Sequence, residues 1–325
     1  MKGKNLRERG KVIHDHWCSL KDPVAVGIDA SRFDQHVSRE ALKFEHSIYL
    51  MYFTGQDRKF LRRILRMQLE TKGVIKSADG LIKYSLKRGR CSGDYNTSLG
   101  NGLIMTSLVY EYMEQLQIPY RFVNDGDDGV LFIEREDLHM LHELDEWFRG
   151  YGFVMECEEP VDVIEQLEFC QCKPVWDDGY VMCRKPDVVT RKDAFTTKPM
   201  NTKGHWDYYR GAVGSCGIAA MGGMPVNQSF YSMLRRGTSR PRRGYGPLDS
   251  GLWYQSQGME NRIKEPSAET RLSFFKAFDI VPDMQRVLEK WYDGTVPTYS
   301  PCSGQLNSEY REETYNILLS LNNHD

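Results

Sequence analysis

The chain has 325 residues, with 43 Lys and Arg against 45 Asp and Glu, a formal net charge of −2, and 40% apolar residues. That length carries one large domain or two ordinary ones, and 27% charged residues beside that apolar content exclude a disordered or collagen-like chain. Near-neutrality excludes a uniform polycation; it leaves nucleic acid open as a partner, because charge can be segregated into patches.

The basic opening MKGKNLRERGK has no apolar run behind it and does not read as a secretory signal. Pro23 to Asp29 reads as a buried strand that closes on a carboxylate. Ser38 is placed as the N-cap of a helix with Ala41, Phe44, Ile48 and Met51 on its apolar face. A very basic helix is expected from about Gln56 to Leu69, then a hairpin in which Val74-Ile75 and Leu81-Ile82 flank Asp79-Gly80. Thr97 to Gln117 reads as a helix with Leu103, Ile104, Leu108 and Tyr112 inward. From Tyr120 to Ile133, two apolar strands bracket an acidic, glycine-containing turn. Asp137 is expected to cap a helix carrying Leu138, Leu141, Leu144 and Phe148 on one face. Leu167 to Met182 forms another hairpin, turning at Asp177-Asp178-Gly179.

Beyond Pro186 no strand signals recur. The longest uncharged run, Gly211 to Leu234, holds five glycines, Pro225, Asn227 and Gln228, and lacks the apolar density of a spanning helix. No membrane segment is expected. The eight cysteines are scattered, and Cys170 and Cys172, one residue apart, suit neither a redox motif nor zinc; they read as reduced thiols. His14 and His16 lack Cys or His partners and read as surface or capping residues. The pattern is an α+β core followed by a mostly helical part.

Three constellations carry chemistry. Adjacent carboxylates at Gly126-Asp127-Asp128 repel each other in a turn pinned between apolar arms, and a divalent cation relieves that repulsion. Asp29 ends its strand, with Asp34 five residues later past a turn. If that strand neighbours the acidic hairpin, Asp29, Asp127 and Asp128 can hold two Mg²⁺ or Mn²⁺ ions about 3.5–4 Å apart, the arrangement for in-line displacement at phosphorus. Asp34 also fits a plain helix N-terminal carboxylate. Third, a Ser92-Gly93 turn leads into a helix with Thr97 and Asn101 one turn apart, where hydroxyl and amide can read a sugar hydroxyl.

The ordered set Asp29-x4-Asp34, then Ser92-Gly93-x3-Thr97-x3-Asn101, then Gly126-Asp127-Asp128 resembles motifs A, B and C of the palm of positive-strand viral RNA-dependent RNA polymerases. The runs Val24 to Ser38, Glu168-Phe-Cys-Gln171 and Gly211-Ala-Val-Gly-Ser-Cys-Gly217 are similar to polymerases of the tombusvirus family, and the resemblance covers nearly the whole chain. It implies a connector over residues 1–20, a palm over 21–185 (an antiparallel sheet with flanking helices), and a helical thumb over 186–325, with the fingers largely missing. It makes Asp29 and Asp127 the principal metal ligands and Asp128 a secondary one. Asp34, Ser92, Gly93, Thr97 and Asn101 become the nucleotide pocket that reads the ribose 2′-OH. Phe169 to Pro174 becomes motif E, the hairpin supporting the primer end.

The implied reaction is RNA-templated nucleotidyl transfer from NTP to an RNA 3′-OH in viral genome replication. The implied partners are template and nascent RNA and a viral auxiliary replication protein. The implied setting is the host cytoplasm, at membrane-associated replication complexes reached through other segments or partners. Arg88, Arg90, Lys173, Arg235, Arg236, Arg242 and Arg243 are expected along the RNA path, in basic clusters of the kind that bind phosphates. Between Arg135 and Lys173 there is no Lys to serve as the motif D acid; Arg149, Lys173, water or no dedicated acid all remain open. Two other readings stand beside this one: a reverse-transcriptase-like palm, and an RNA-binding fragment without turnover.

Overall fold

A computed structural model of the protein describes residues 1–196, 202–238 and 251–299. The chain divides into two compact units, Met1–Lys185 with Pro266–Pro282, and Pro186–Glu265 with the residues from Asp283 on.

The first unit opens with α1 (Leu6–Cys18), in the stretch expected to be a connector. Asn5 caps it: its side chain accepts from the Arg7 and Glu8 amides while Glu8 reaches back to the Asn5 N–H at 2.8 Å. Leu6, Arg9, Gly10 and Ile13 face inward, a helical spacing hidden among charges. β1 (Pro23–Ala30) and the short α2 (Phe33–His36) lead to α3 (Arg39–Met51), whose first turn Ser38 caps as expected. Its inward face differs from the expected one. Leu42, Glu45 and His46 are buried, while Phe44 and Met51 are exposed, because the helix packs on a polar centre described below. α4 (Gly55–Gln68) and the hairpin β2 (Thr71–Ser77) with β3 (Gly80–Leu86) follow near their expected positions; β3 has no buried residue.

α5 (Thr97–Leu116) buries Ile104, Met105, Val109, Tyr112 and Met113, leaving the expected Leu103 and Leu108 only half-buried. β4 (Tyr120–Asp125) and β5 (Asp128–Glu134) form the acidic hairpin. Asp137 caps no helix: Arg135–Glu143 is a 3₁₀ stretch, and α6 (Leu144–Gly150) begins after it. β6 (Met155–Cys157) was not anticipated, being three residues long and mostly polar. The sheet order is β4-β5-β1-β6, antiparallel at every step. Val26, Ile28, Leu131 and Ile133 of the central strands meet α5 and α6 in one core with Phe33, Leu144 and Phe148; each such buried side chain contributes about 1.5–3 kcal/mol. β7 (Cys172–Trp176) pairs with β8 (Tyr180–Arg184) in a separate hairpin, with Asp178 and Gly179 in left-handed backbone.

Among the described residues the second unit contains helices and no strand: α7 (Pro186–Val188), α8 (Lys203–Met221), α9 (Asn227–Arg235) and α10 (Leu252–Gln255). The long uncharged run therefore folds as parts of α8 and α9. No helix among the described residues is long and apolar enough to cross a membrane. Tyr231 of α9 donates to Asp193 Oδ2 at 2.6 Å, anchoring the segment after α7. α11 (Ala268–Phe278) lies in the first unit, not with the helical tail in which the sequence reading put it; Ser273 Oγ accepts from the Trp176 amide at 2.8 Å. In α12 (Pro282–Gly294), Glu289 accepts from the Val226 amide at 3.0 Å within the second unit. The architecture is α+β.

Candidate active site

β1 is buried almost throughout, and Asp29 is its one exposed residue. The register pairs Ile28 with Gly129, so the next step along the two strands sets Asp29 beside Asp128. Asp127 sits in the turn between β4 and β5, where Gly126 has φ +91°, a left-handed conformation that suits glycine. Among the described residues none of Asp29, Asp127 and Asp128 makes an ion pair. Burial, then the charges of Asp29 and Asp34, push the Asp127 carboxyl above the ordinary aspartate range. Asp128 is pushed up too, first by burial and then by Asp127, Asp29 and Asp125, with the Cys170 thiol opposing. The three sequence-chosen carboxylates thus share one field. No three His, Cys, Asp or Glu side chains among the described residues converge as a ready-made metal cage.

Asp34, Ser92 and Asn101 form a single cluster. Asp34 Oδ1 accepts from Asn101 Nδ2 at 2.7 Å, and its other oxygen accepts from the Ser92 hydroxyl. The chain turns into this position through Arg32, held at φ +51°. Asn101 Oδ1 is buried and has no hydrogen-bond partner among the described residues. Thr97 does not join it. Its hydroxyl donates to the carbonyls of Asp94 at 2.8 Å and Cys91 at 3.1 Å, closing the start of α5. Gly93 is exposed and a Cβ there would meet nothing within 4 Å, so its place in the pocket is not sterically demanded.

The basic residues expected along RNA divide. Arg90 is a correction: its side chain is fully buried and paired with Glu45, so it offers no charge to a phosphate. The sequence misled because Arg88 and Arg90 read as one basic cluster. Arg88 is exposed; Lys173 is half-buried and close enough to Glu158 to favour its ionised form. Arg235 is half-buried, and Arg236 is exposed, donating to the Thr295 carbonyl at 2.8 Å. Arg242 and Arg243 lie outside the described residues. Arg149 pairs with Asp145 on the surface of α6 at 2.9 Å.

Several neighbours escaped the sequence reading. Asp125, just before the turn, is nearly buried and meets Arg9 of α1 at 2.7 Å and Lys2 at 3.1 Å. Cys170 lies 3.9 Å from Asp125, and burial followed by Asp128 and Asp125 pushes its thiol far up. Glu158 crosses β1 at Gly27, where a Cβ would stand 2.2 Å from its Oε2; burial, then Glu168, Asp128 and Asp29, raise its pKa. A glycine inside an otherwise β-branched strand was the available signal of that close approach.

These features define a protein that gathers unpaired carboxylates at adjoining strand ends beside a hydroxyl-and-amide pocket. The family model described as viral RNA dependent RNA polymerase matches residues 1–298, and the chain belongs to that family. It is 45% identical over 296 residues to the RNA-directed RNA polymerase of Tobacco necrosis virus (strain A), covering 90% of this chain and 41% of that protein. The corresponding polymerase of Maize chlorotic mottle virus is 39% identical over 303 residues, covering 92% of this chain and 31% of its own length. That of Turnip crinkle virus is 37% identical over 308 residues, with 90% and 38% covered. The chain spans less than half the length of these relatives.

Proposed function

We propose that this chain is the catalytic part of an RNA-templated RNA polymerase, with the first unit as palm and the second as thumb. The observation that carries the reading is Asp29 beside Asp128 at the strand ends, with Asp127 in the same field and no cation among the described residues paired to any of them. Hard carboxylate oxygens suit Mg²⁺ or Mn²⁺, and a cation would offset the burial and neighbouring charge that push Asp127 and Asp128 up. Asp29 and Asp127 would be the main ligands and Asp128 a secondary one. When bound, such ions supply charge stabilisation to the attacking and leaving oxygens of phosphoryl transfer.

The chain's own side chains bind and orient. Asp34, held by Ser92 and Asn101, receives the ribose 2′-OH. Exposed Arg88 and half-buried Lys173 and Arg235 face RNA phosphates as non-specific contacts.

The test is nucleotide incorporation by the complete polymerase carrying Asp127→Asn. A loss of at least ~100-fold is expected for a group that stabilises transition-state charge; undiminished incorporation would sink the metal assignment. Comparing NTP with dNTP in the unaltered enzyme separates this reading from a reverse transcriptase. RNA binding without turnover in either case would favour a purely binding role.

A further inference from the structure

Residues 89–96, which carry Ser92, are fastened to the first unit by polar contacts the proposed chemistry does not use. The Gly89 amide donates to the Val37 carbonyl at 2.8 Å and the Arg90 amide to the Asp34 carbonyl at 2.7 Å. Arg90 then turns its side chain into the interior, against Glu45 of α3, with both side chains fully buried. Glu45 Oε1 accepts from Asn96 Nδ2 at 2.7 Å, and Asn96 Oδ1 accepts from Gln68 Nε2 of α4 at 2.6 Å. Gln68 also donates to Asp94 at 3.2 Å and meets His46 Nε2 at 3.1 Å. α5 closes the remaining side at Gly100, where a Cβ would lie 2.3 Å from Glu45 Oε1 and 2.5 Å from Arg90 Nη2.

Burying two charges costs several kcal/mol per ion, and a packed apolar pair of similar volume is often no less stable. Stability alone therefore does not account for the pair. Its position does. Arg90 stands two residues before Ser92, and Gly100 stands one residue before Asn101. Those are the two donors that hold Asp34. Among the described residues Arg90 Nε and Nη1 have no hydrogen-bond partner, so Glu45 is the anchor of its side chain there. The pair fixes the loop to α3, and the bare Cα of Gly100 lets α5 approach closely enough to bring Asn101 to the same carboxylate.

We propose that Glu45, Arg90 and Gly100 are positioning residues for sugar selection: a buried ion pair clasped by a glycine sets the separation of Ser92 and Asn101 across Asp34, and thereby the discrimination between ribonucleotide and deoxyribonucleotide. The proposal rests on the polymerase reading. None of the three touches the nucleotide. Each acts through the loop or helix that does.

The experiment uses the complete polymerase and measures kcat/KM for one NTP and its dNTP. Gly100→Ala and Glu45→Gln are each expected to lower the NTP-to-dNTP ratio by about 10-fold or more, since a misplacement near 1 Å affects rates on that scale. Glu45→Asp combined with Gly100→Ala withdraws the carboxylate by one methylene, makes room for the new methyl, and is expected to recover much of the ratio. Equal losses for both sugars, with the ratio unchanged, would reduce the network to a purely structural role and overturn the proposal. So would a double variant no better than Gly100→Ala. If Gly100→Ala does not fold, Glu45→Gln, which keeps the side-chain shape, carries the same ratio test by itself. An unaltered enzyme that incorporates neither sugar overturns the polymerase reading, and this proposal with it. That result is distinct from an active enzyme with an unmoved ratio.

Discussion

At the tip of the β4–β5 hairpin, Asp127 and Asp128 stand half-buried with no ion-pair partner among the described residues, whereas Glu45 and Arg90, in the same unit, have completely buried side chains matched to each other. Both arrangements oppose folding when taken alone, because each removes charge from water. The outcomes differ. The matched pair is neutralised and closed off from solvent, so it can fix distances but offers no charge to a ligand. The unmatched carboxylates hold their charge at the expense of raised pKa values and are left receptive to a cation. Asp125 marks the boundary between the two behaviours: one residue before Gly126, it is already neutralised by Arg9 and Lys2.

The comparison breaks most visibly at Glu45. Glu45→Ala leaves Arg90 buried without an anion and is expected to destabilise the polymerase by about 3–5 kcal/mol, read as a fall in its unfolding midpoint. Asp128→Asn is the counterpart and is expected to leave the metal-free protein's stability unchanged or slightly higher, since it removes a carboxylate that burial and neighbours already disfavour. Equal losses in the two variants would mean that the centres are not different in kind.

Arg9→Met tests the boundary. Asp125 keeps Lys2 and the Cys170 thiol but loses its nearer cation, and Arg9 also gives up its bond to the Lys4 carbonyl, so a stability loss of at least about 1.5–3 kcal/mol, the scale of one charged hydrogen bond, is expected. If the tip depends on that anchor, incorporation falls as well, and a primer-extension assay would register it.

The smallest effect is a pH dependence. Burial, the largest cause, lowers the His46 pKa below its ordinary 6.5, opposed by Gln68 and Glu45 and assisted by Arg90. The unfolded chain then binds more protons than the folded one as pH falls through about 6.5, so stability present above that value is lost on acidification. His46→Gln is expected to flatten this part of a melting-temperature profile measured between pH 5 and pH 8. An unchanged slope would assign the dependence elsewhere.

Local chemistry made much of the first unit legible. β1, the three hairpins, the Ser38 cap and the acidic turn are all readable because apolar runs and turn residues alternate sharply there. Pairing β1 with β5 needed only the condition that the two strands be neighbours, and the register satisfies it. What stayed hidden was buried charge. The apolar face read for α3 leaves out Glu45 and His46, and Arg90 reads as part of a basic cluster, because a single sequence gives no sign that a charge has an interior partner. α1 was obscured the same way, its four inward positions scattered among lysines and arginines. The return of α11 to the first unit depends on contacts across about a hundred residues, Glu165 to Ser273 among them at 3.1 Å, which no local pattern encodes.

Cys170 carries a consequence for thiol chemistry. The thiolate is the form that attacks electrophiles and enters the oxidation ladder. A sulfur held protonated beside Asp125 and Asp128 does neither readily, while Cys18 is exposed on α1. Alkylating reagents and mild peroxide are therefore directed away from Cys170 and toward the exposed thiols, which among the described residues are Cys18 on α1 and Cys157 on β6. A reporter group attached at Cys18 leaves the site's own sulfur untouched.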